Sequence, residues 1–321
     1  MLVPILLFIL GLIFLIKGGD WFVDAATGIA HRFHMPELLI GATVVSIGTT
    51  LPEVMVSATS ALSGHGEMAY GNAIGSVICN TALIAALTVA IRPGYVDKKA
   101  LTTPVAAFFL CALAYCIPAY TRGHFDRVTG VILLALFVLY MVYTVLQMKR
   151  SPAASQPTDY MAQPEGSLQK DVLMLVVGAA VIAVGANLLV DNGTLIAKAL
   201  GVPESVIALT FVALGTSLPE LVTAITSLAK GHGALSLGNV IGANIFNLVL
   251  VSGVSATLAP FNIPTSTLIL GRPSSLVIDL PLMLLVMAVL TVPALLRGRL
   301  RRWQGVSLLG VYGAYCIFQF I

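Results

Sequence analysis

Charged residues are scarce in this 321-residue chain. They make up 10% of the sequence, whereas hydrophobic residues make up 58%. In soluble proteins roughly a quarter of all residues are charged. A water-soluble globular fold is therefore excluded, and lipid is the expected solvent for most of the chain.

Cysteine is scarce as well, and several motifs are missing. The four cysteines lie inside apolar runs, and their spacing matches neither a CxxC metal motif nor a disulfide framework: Cys79, Cys111, Cys116 and Cys316. The chain also lacks a Walker lysine, an HExxH helix and a basic patch interleaved with aromatic residues. We therefore expect no resident cofactor, no enzymatic activity and no nucleic-acid partner.

Long apolar runs are abundant instead. About 20 apolar residues are enough to cross a hydrocarbon core of ~30 Å. Ten such runs are present: 2–30, 37–62, 67–91, 100–120, 127–148, 171–199, 204–229, 234–259, 275–296 and 303–320. They are too long and too continuously apolar for the strands of a membrane barrel. The sequence predicts an all-α polytopic membrane protein with ten transmembrane helices.

Lysine and arginine are distributed unevenly among the connecting loops. Of the 17 in the chain, twelve fall on one side of the predicted membrane and four on the other, with Lys17 inside the first run. The positive-inside rule assigns the richer side to the cytoplasm. We expect a multi-pass protein of the cell (inner) membrane, with both termini outside the cytoplasm and residues 149–170 as a cytoplasmic linker.

The sequence repeats itself. A shift of 167 residues places Pro36–Asn80 on Pro203–Asn247 without a gap, and 21 of the 45 positions are identical. This predicts one repeat over residues 1–148 and a second over 171–321. Each copy has five crossings, an odd number, so the second copy enters the bilayer from the opposite side. Inverted repeats of this kind bind substrate near the midplane, between the copies, and expose it alternately to each side.

Two acidic residues occupy matching positions in the repeats. Glu53 and Glu220 lie toward the middle of the second and seventh runs, where a carboxylate is costly and usually functional. Each follows a proline, Pro52 or Pro219, which cannot donate the helical hydrogen bond to the carbonyl four residues earlier. We expect the carbonyls of Gly48 and Gly215 to be freed in this way.

Other oxygen-bearing side chains accompany the glutamates. Hydroxyl groups lie one turn before each carboxylate, and an asparagine amide follows in the next helix of each copy. These residues are Thr49, Thr50, Thr216 and Ser217 for the hydroxyls, and Asn80 and Asn247 for the amides. Ser76 adds a hydroxyl, but its counterpart is Ala243. A set of carboxylate, hydroxyl and amide oxygens suits Ca²⁺ or Na⁺.

The charge of the pair suggests exchange. Two carboxylates neutralise one divalent ion or two monovalent ions, so the two loads compete for one pocket. A desolvated carboxyl group also accepts a proton readily, which keeps H⁺ as an alternative counter-ion. A channel is a further alternative, although one central site between inverted repeats favours alternating access.

Several polar residues favour structural interpretations. Asn72 and Asn239 are typical of helix caps or of hydrogen bonds between helices. Gly-His-Gly at His65 and at His232 predicts turns. Asp279, near the start of the ninth run, is expected to have a partner at the membrane interface.

Each half carries one copy of a paired motif, Gly-Thr-Thr-Leu-Pro-Glu in the first and Gly-Thr-Ser-Leu-Pro-Glu in the second, each followed by Gly-Asn-x-Ile-Gly-x-x-Ile-x-Asn. These motifs resemble the two alpha repeats of the calcium/cation antiporter superfamily, and most closely its prokaryotic sodium/calcium exchanger branch. The resemblance covers the whole chain. It implies exchange of Ca²⁺ for Na⁺, with Ca²⁺ (or another divalent cation)/H⁺ antiport as the alternative. Proton-coupled relatives typically carry Gly-Asn-x-x-Glu-His, which both copies lack.

The resemblance also implies a ligand set. Ca²⁺ would be held by Glu53, Glu220, Thr49 and Thr216. Na⁺ or water sites would be completed by Thr50, Ser217, Ser76, Asn80 and Asn247, and by the backbone carbonyls of Ser46 and Ala213. Relatives with an acid at the position of Asn247 are associated with potassium dependence, so the amide here argues against K⁺ co-transport. Ala243, where some relatives have serine, leaves one Na⁺ site short of a ligand.

Overall fold

The protein is described by a computed structural model that covers residues 2–33, 35–150, 167–200, 215–265 and 268–319. These residues form ten helices, numbered here in chain order. Their bounds are α1 Leu2–Arg32, α2 Glu37–Leu62, α3 Gly66–Ile91, α4 Lys98–Arg122, α5 Arg127–Arg150, α6 Leu168–Ala199, α7 Leu218–Ala229, α8 Gly233–Leu258, α9 Ser275–Arg297 and α10 Arg302–Phe318. The all-helical, multi-pass architecture predicted from hydropathy is confirmed.

Eight of these helices are long and apolar enough to cross a membrane. The exceptions are α7, with 12 described residues, and α10, with 17. The predicted run 204–229 contains α7, and its first part lies outside the described residues. The 151–166 portion of the predicted linker lies outside them too. Elsewhere the predicted and observed helix ends differ by only a few residues.

Four two-residue strands supplement the helices. They are β1 His124–Phe125, β2 Phe261–Asn262, β3 Leu268–Ile269 and β4 Arg272–Pro273. β1 pairs antiparallel with β2, and β3 pairs antiparallel with β4. The first pair joins the loop after α4 to the loop after α8, at the same end of the helix bundle.

π-helical turns interrupt several of the long helices. Asn80 opens one at Asn80–Ala85 and Asn247 opens another at Asn247–Val251, so both begin at equivalent positions of the aligned halves. Further turns of this type occupy Gly41–Val45 and Ser275–Asp279. Two of these turns are followed by a serine whose hydroxyl donates to the carbonyl five residues earlier, at the start of the turn. The pairs are Ser46 with Gly41 and Ser252 with Asn247. Such turns are frequent at functional sites.

α1 and α6 pack against each other along most of their length and run antiparallel. Gly11 lies against Gly185, and Gly18 lies against Gly178 and Ile182. Glycine at these contacts lets the backbones approach closely, as in other membrane helix pairs. With the start of α2, these helices form a hydrophobic cluster separate from the main core.

The main core is built around α8, which is the most enclosed of the candidate spans. Its Gly238 lies against the carbonyl of Leu38 on α2, and Gly41 of α2 lies against the carbonyl of Leu235 on α8, so an added Cβ would collide with backbone at either glycine. An added Cβ at Gly71, the position equivalent to Gly238, would meet no atom of the described residues.

Polar contacts join the helix ends on one side of the bundle. The Lys230 ammonium lies 2.7 Å from Asp24 and 3.3 Å from Asp20, so the end of α7 is attached to α1. His232 Nδ1 lies 2.8 Å from Glu37 Oε1 at the start of α2. His65 and His232 follow glycines with positive φ, which confirms the predicted turns.

Candidate ion-binding site

The two glutamates are completely buried. Glu53 lies inside α2, and Glu220 lies in the first turn of α7; both have 0% exposure. Pro219 lies in the first turn of α7, where backbone N–H groups have no acceptor within the helix, so the N–H that proline lacks breaks no helical hydrogen bond. The positive end of the helix dipole favours the adjacent Glu220 carboxylate. The Glu220 carboxyl group reaches α2, where it contacts the hydroxyl of Thr50, three residues before Glu53.

Most carboxylate oxygens of the pair lack a protein partner. Among the described residues, neither oxygen of Glu53 has a hydrogen-bond partner, and neither does Oε2 of Glu220. Oε1 of Glu220 accepts a hydrogen bond of 3.5 Å from the Thr50 hydroxyl, and the hydroxyl of Thr49 also lies beside this carboxyl group. The structure therefore brings both glutamates together with the predicted α2 hydroxyls.

The two site threonines are held by reciprocal hydrogen bonds. Thr49 donates to Oδ1 of Asn239 on α8 at 3.2 Å. Thr216, which precedes α7, donates to Oδ1 of Asn72 on α3, also at 3.2 Å. Thr49 and Thr216 are equivalent in the repeat, as are Asn72 and Asn239, so each threonine is bonded by the asparagine of the other half. The prediction that these asparagines bond between helices is confirmed.

The reciprocal arrangement is incomplete in one half. The Asn72 amide nitrogen donates to the Ser57 hydroxyl at 2.8 Å. The position equivalent to Ser57 is Ala224, which has no hydroxyl. The amide nitrogen of Asn239 is accordingly buried without a hydrogen-bond partner in the described part of the chain.

Both predicted amide residues are buried. The Asn247 amide nitrogen donates to the Ala243 carbonyl at 3.1 Å, which leaves Oδ1 as its unpartnered atom. In Asn80 neither amide atom has a partner among the described residues, and the same is true of the Ser217 hydroxyl. Ser76 is buried one turn before Asn80 on α3.

Two of the predicted ligands are backbone carbonyls, that of Ser46 on α2 and that of Ala213 in the segment before α7. The hydroxyl of Ser46 donates to the carbonyl of Asn239 at 3.0 Å, which adds to the contact between α2 and α8. The role of the Ser46 carbonyl as a ligand stays a prediction, and Ala213 lies outside the described residues.

The expectation that Pro219 frees the Gly215 carbonyl is wrong. That carbonyl accepts a hydrogen bond of 3.4 Å from the Leu218 amide, because the chain forms a turn just before α7 instead of a helix that continues through Pro219. In the other half the helix does continue through Pro52.

Asp279 has the kind of partner that was expected. Its carboxylate accepts a hydrogen bond of 3.3 Å from the Tyr315 hydroxyl on α10. This contact lies between α9 and α10, apart from the two glutamates.

The geometry has a clear electrostatic consequence. Buried polar atoms are nearly always hydrogen-bonded, and a buried carboxylate without a counter-charge is unfavourable by several kcal/mol or more. Here both carboxyl groups are buried with three of their four oxygens unpartnered in the described residues, and the side-chain oxygens of Asn80 and Asn247 are buried and unpartnered as well. Oxygen atoms in this arrangement are suited to a hard cation.

Buried acidic residues within a multi-pass helical bundle are typical of membrane proteins that transport ions. A family model described as "Sodium/calcium exchanger protein" matches residues 3–146 and 170–321. The chain belongs to the sodium/calcium exchanger protein family.

Individual relatives agree with this assignment. An uncharacterized membrane protein of Methanocaldococcus jannaschii is 35% identical over 313 residues, which covers 95% of this chain and 94% of that protein. The sodium/calcium exchanger MaX1 of Methanosarcina acetivorans is 28% identical, with 99% of each chain covered. Among solved structures, the sodium-calcium exchanger NCX_Mj soaked with zero Na⁺ and Ca²⁺ gives a TM-score of 0.82 at 31% identity, covering 100% of this chain and 99% of that one.

Proposed function

We propose that this protein is a secondary antiporter that exchanges Ca²⁺ for Na⁺ at a central site formed by Glu53 and Glu220. The observation that carries this proposal is the burial of both carboxyl groups with three of their four oxygens unpartnered among the described residues. The names of the family and of its relative MaX1 support the choice of ions.

Each predicted side chain has a role in this proposal. Glu53, Glu220, Thr49 and Thr216 are the proposed Ca²⁺ ligands. Thr50, Ser217, Ser76, Asn80 and Asn247, with the carbonyls of Ser46 and Ala213, are the proposed ligands of Na⁺ or water. The free Oδ1 of Asn247 supports its assignment, because its amide nitrogen is already held by the Ala243 carbonyl.

The charge of the pair explains why the two ions exchange. One Ca²⁺ or two Na⁺ neutralise both carboxylates, so binding of one load displaces the other. If more than two Na⁺ enter for each Ca²⁺, each net charge moved couples to the membrane potential at about 2.3 kcal/mol per 100 mV. The proposed activity needs no resident cofactor and no catalytic residue.

Alternating access follows from the proposed inverted repeats, residues 1–148 and 171–321. The antiparallel packing of the equivalent helices α1 and α6 supports the inversion. The reciprocal bonds of Thr49 with Asn239 and of Thr216 with Asn72 support a site built from both repeats. Such repeats alternate by movement of one part of the protein against another around the bound ion.

The proposed location is the cell (inner) membrane, with both termini outside the cytoplasm and the linker 149–170 inside it. The bias of twelve against four basic residues supports this orientation. The test is labelling by an impermeant maleimide, in intact cells, of a Cys316→Ser variant with a cysteine introduced at Ser155 in the linker, because the other three native cysteines are buried. Labelling from outside would contradict the assignment.

Exchange of Ca²⁺ for H⁺ is the second candidate. The complete burial of both glutamates favours it, because desolvation favours the protonated form of a carboxyl group. The absence of a Glu-His pair from both Gly-Asn segments favours Na⁺ instead.

The test is ⁴⁵Ca²⁺ uptake into proteoliposomes loaded with Na⁺ and diluted into Na⁺-free buffer, with K⁺-loaded vesicles and an imposed pH gradient as separate arms. Uptake driven only by the Na⁺ gradient is expected. Uptake driven only by the pH gradient would assign the protein to H⁺ exchange. Equal uptake in all arms, whether or not a Na⁺ or pH gradient is present, would indicate a channel.

Variants test the site itself. Glu53→Gln and Glu220→Gln each remove one charge with little change in volume, and each is expected to abolish exchange. Glu67→Gln is the matched control, because Glu67 is exposed at the start of α3. Full exchange activity in either site variant would refute the assignment.

A further inference from the structure

Arginine residues gather at one end of the bundle, where α9 ends and α10 begins. Gly298, with a φ of +68°, ends α9 and turns the chain toward the loop that follows α3. Two backbone hydrogen bonds then join the segments, Val96 to Gly298 at 3.0 Å and Leu300 to Gly94 at 2.8 Å. These bonds fix the short segment that carries the arginines.

The joined segments form an open surface cleft of about 360 Å³, lined by residues 93–95 and 299–302. We call it the arginine cleft. Three arginines line it, Arg299, Arg301 and Arg302.

The positive charges of this cleft are not neutralised within the described part of the chain, where no carboxylate forms an ion pair with any of the three arginines. Arg302 donates only to the Ile91 carbonyl, at 3.5 Å. The Nε atom of Arg301 is buried and has no hydrogen-bond partner in the described residues. The charge of Arg299, partial desolvation and the charge of Arg297 together lower the pKa of the Arg301 guanidinium.

The surroundings of the cleft place it at a lipid surface. Tyr95 and Trp303 are 88% and 49% exposed beside it, and aromatic residues of this kind concentrate at the level of lipid headgroups. Immediately next to them, Leu296 and Ile91 are 72% and 60% exposed at the ends of α9 and α3. Apolar side chains so exposed require acyl chains around them, whereas the arginines require an anion.

We propose that the arginine cleft binds the phosphate headgroup of an anionic phospholipid, with Arg299 and Arg301 as its main ligands. A guanidinium group presents a planar pair of donors that matches two phosphate oxygens, and it does so better than a lysine ammonium. Tyr95 and Trp303 flank the headgroup, and Leu296 and Ile91 contact the first part of the acyl chains. The assignment is independent of which ions are exchanged at the central site.

The experiment uses the full-length protein purified in detergent. Dioleoylphosphatidylglycerol, dioleoylphosphatidylcholine and inorganic phosphate are titrated separately, and bound ligand is counted by native mass spectrometry. The wild type is expected to prefer phosphatidylglycerol. Arg299→Gln and Arg301→Gln are each expected to weaken its binding about fivefold, given a contribution of about 1 kcal/mol per basic residue.

Matched variants separate a built site from general positive charge. Arg127→Gln combined with Arg272→Gln removes two exposed arginines that lie outside the cleft, and it is expected to leave phosphatidylglycerol binding unchanged. Arg299→Lys combined with Arg301→Lys keeps the charge but loses the paired donors, and an intermediate affinity is expected. A monodisperse peak in size-exclusion chromatography in detergent shows that each variant is folded.

Three results would overturn the proposal. Equal binding of phosphatidylcholine and phosphatidylglycerol would leave the arginines as determinants of topology alone. Equal losses of phosphatidylglycerol binding in the cleft variants and in the control variant would show that binding depends on overall positive charge. Arginine-dependent binding of inorganic phosphate, without a preference for the lipid, would make the ligand a soluble anion.

Discussion

Thr49 on α2 donates a hydrogen bond of 3.2 Å to the side-chain oxygen of Asn239 on α8. Because the residues belong to different halves of the chain, the orientation of a proposed ion ligand in one half is set by an amide in the other. The bond from Thr216 to Asn72, of the same length, repeats the relationship.

Removing either asparagine should weaken Ca²⁺ binding without removing a proposed ligand. In Asn72→Ala and Asn239→Ala the bonded threonine loses its acceptor and can rotate away from the ion. Residues that orient metal ligands typically contribute 10–100-fold to affinity, so we expect the Ca²⁺ concentration at half-maximal uptake to rise about tenfold. Asn262→Ala is the control, since Asn262 bonds His124 far from the site. An unchanged half-saturation concentration in both site variants would contradict the orienting role.

Ala224→Ser should stabilise the protein. The hydroxyl would occupy the position equivalent to Ser57 and accept the hydrogen bond that the Asn239 amide nitrogen lacks. A satisfied buried hydrogen bond contributes about 1 kcal/mol. We expect the apparent melting temperature in detergent to rise by about 2 °C. The pair Ala224→Ser with Asn239→Ala should lose this gain, and a gain that persists there would have another cause.

Gly238→Ala should prevent correct packing of α8 against α2. The added methyl group would collide with the Leu38 carbonyl, and neither backbone has room to move in the most enclosed helix of the bundle. Overpacking of this kind typically destabilises by about 1–3 kcal/mol. Size-exclusion chromatography in detergent should show a loss of monodisperse protein. Gly313→Ala is the control, because no described atom lies near an added Cβ there, and behaviour identical to that control would refute the close contact.

The contact between His232 and Glu37 should make stability depend on pH. The hydrogen bond to Glu37 raises the pKa of His232, and the negative charge of Asp24 raises it further. Burial and the positive charge of Lys230 act in the opposite direction, but the net shift is upward. Folding therefore favours the protonated imidazole. This stabilisation is complete below the ordinary histidine pKa of about 6.5 and is lost as pH rises through the higher pKa of the folded state.

The corresponding measurement is the apparent melting temperature from pH 5 to pH 9. The wild type should lose stability relative to His232→Gln as pH increases, and the two curves should converge at high pH. His65→Gln, in the equivalent turn, should follow the wild-type profile. A constant difference between wild type and His232→Gln across this range would exclude the predicted linkage.

Hydropathy predicted the helices well because long apolar runs in lipid have few alternatives to a helix. α2, for example, spans Glu37–Leu62 both in prediction and in structure. The repeat likewise predicted that Asn80 and Asn247 occupy equivalent places, and each opens a π-helical turn. The turns themselves have no sequence signal, because they differ from an α-helix by only one inserted residue.

Contacts between segments that are distant in the chain could not be predicted from the sequence. That Asn239 bonds Thr49 depends on how α8 is rotated against α2, which no spacing reveals. The different surroundings of Pro52 and Pro219 were also hidden, because identical Leu-Pro-Glu segments lie inside one helix and at the start of another. The same limit applies to the arginine cleft, whose Tyr95 and Arg299 are far apart in the chain.

The crossed hydrogen bonds also bear on the ancestry of the protein. Neither half bonds its own threonine to its own asparagine: Thr49 uses Asn239, and Thr216 uses Asn72. A progenitor half the present length would have had no internal acceptor for its threonine. It would have needed a second molecule to supply one, so a single half could not have oriented its own threonine in this way.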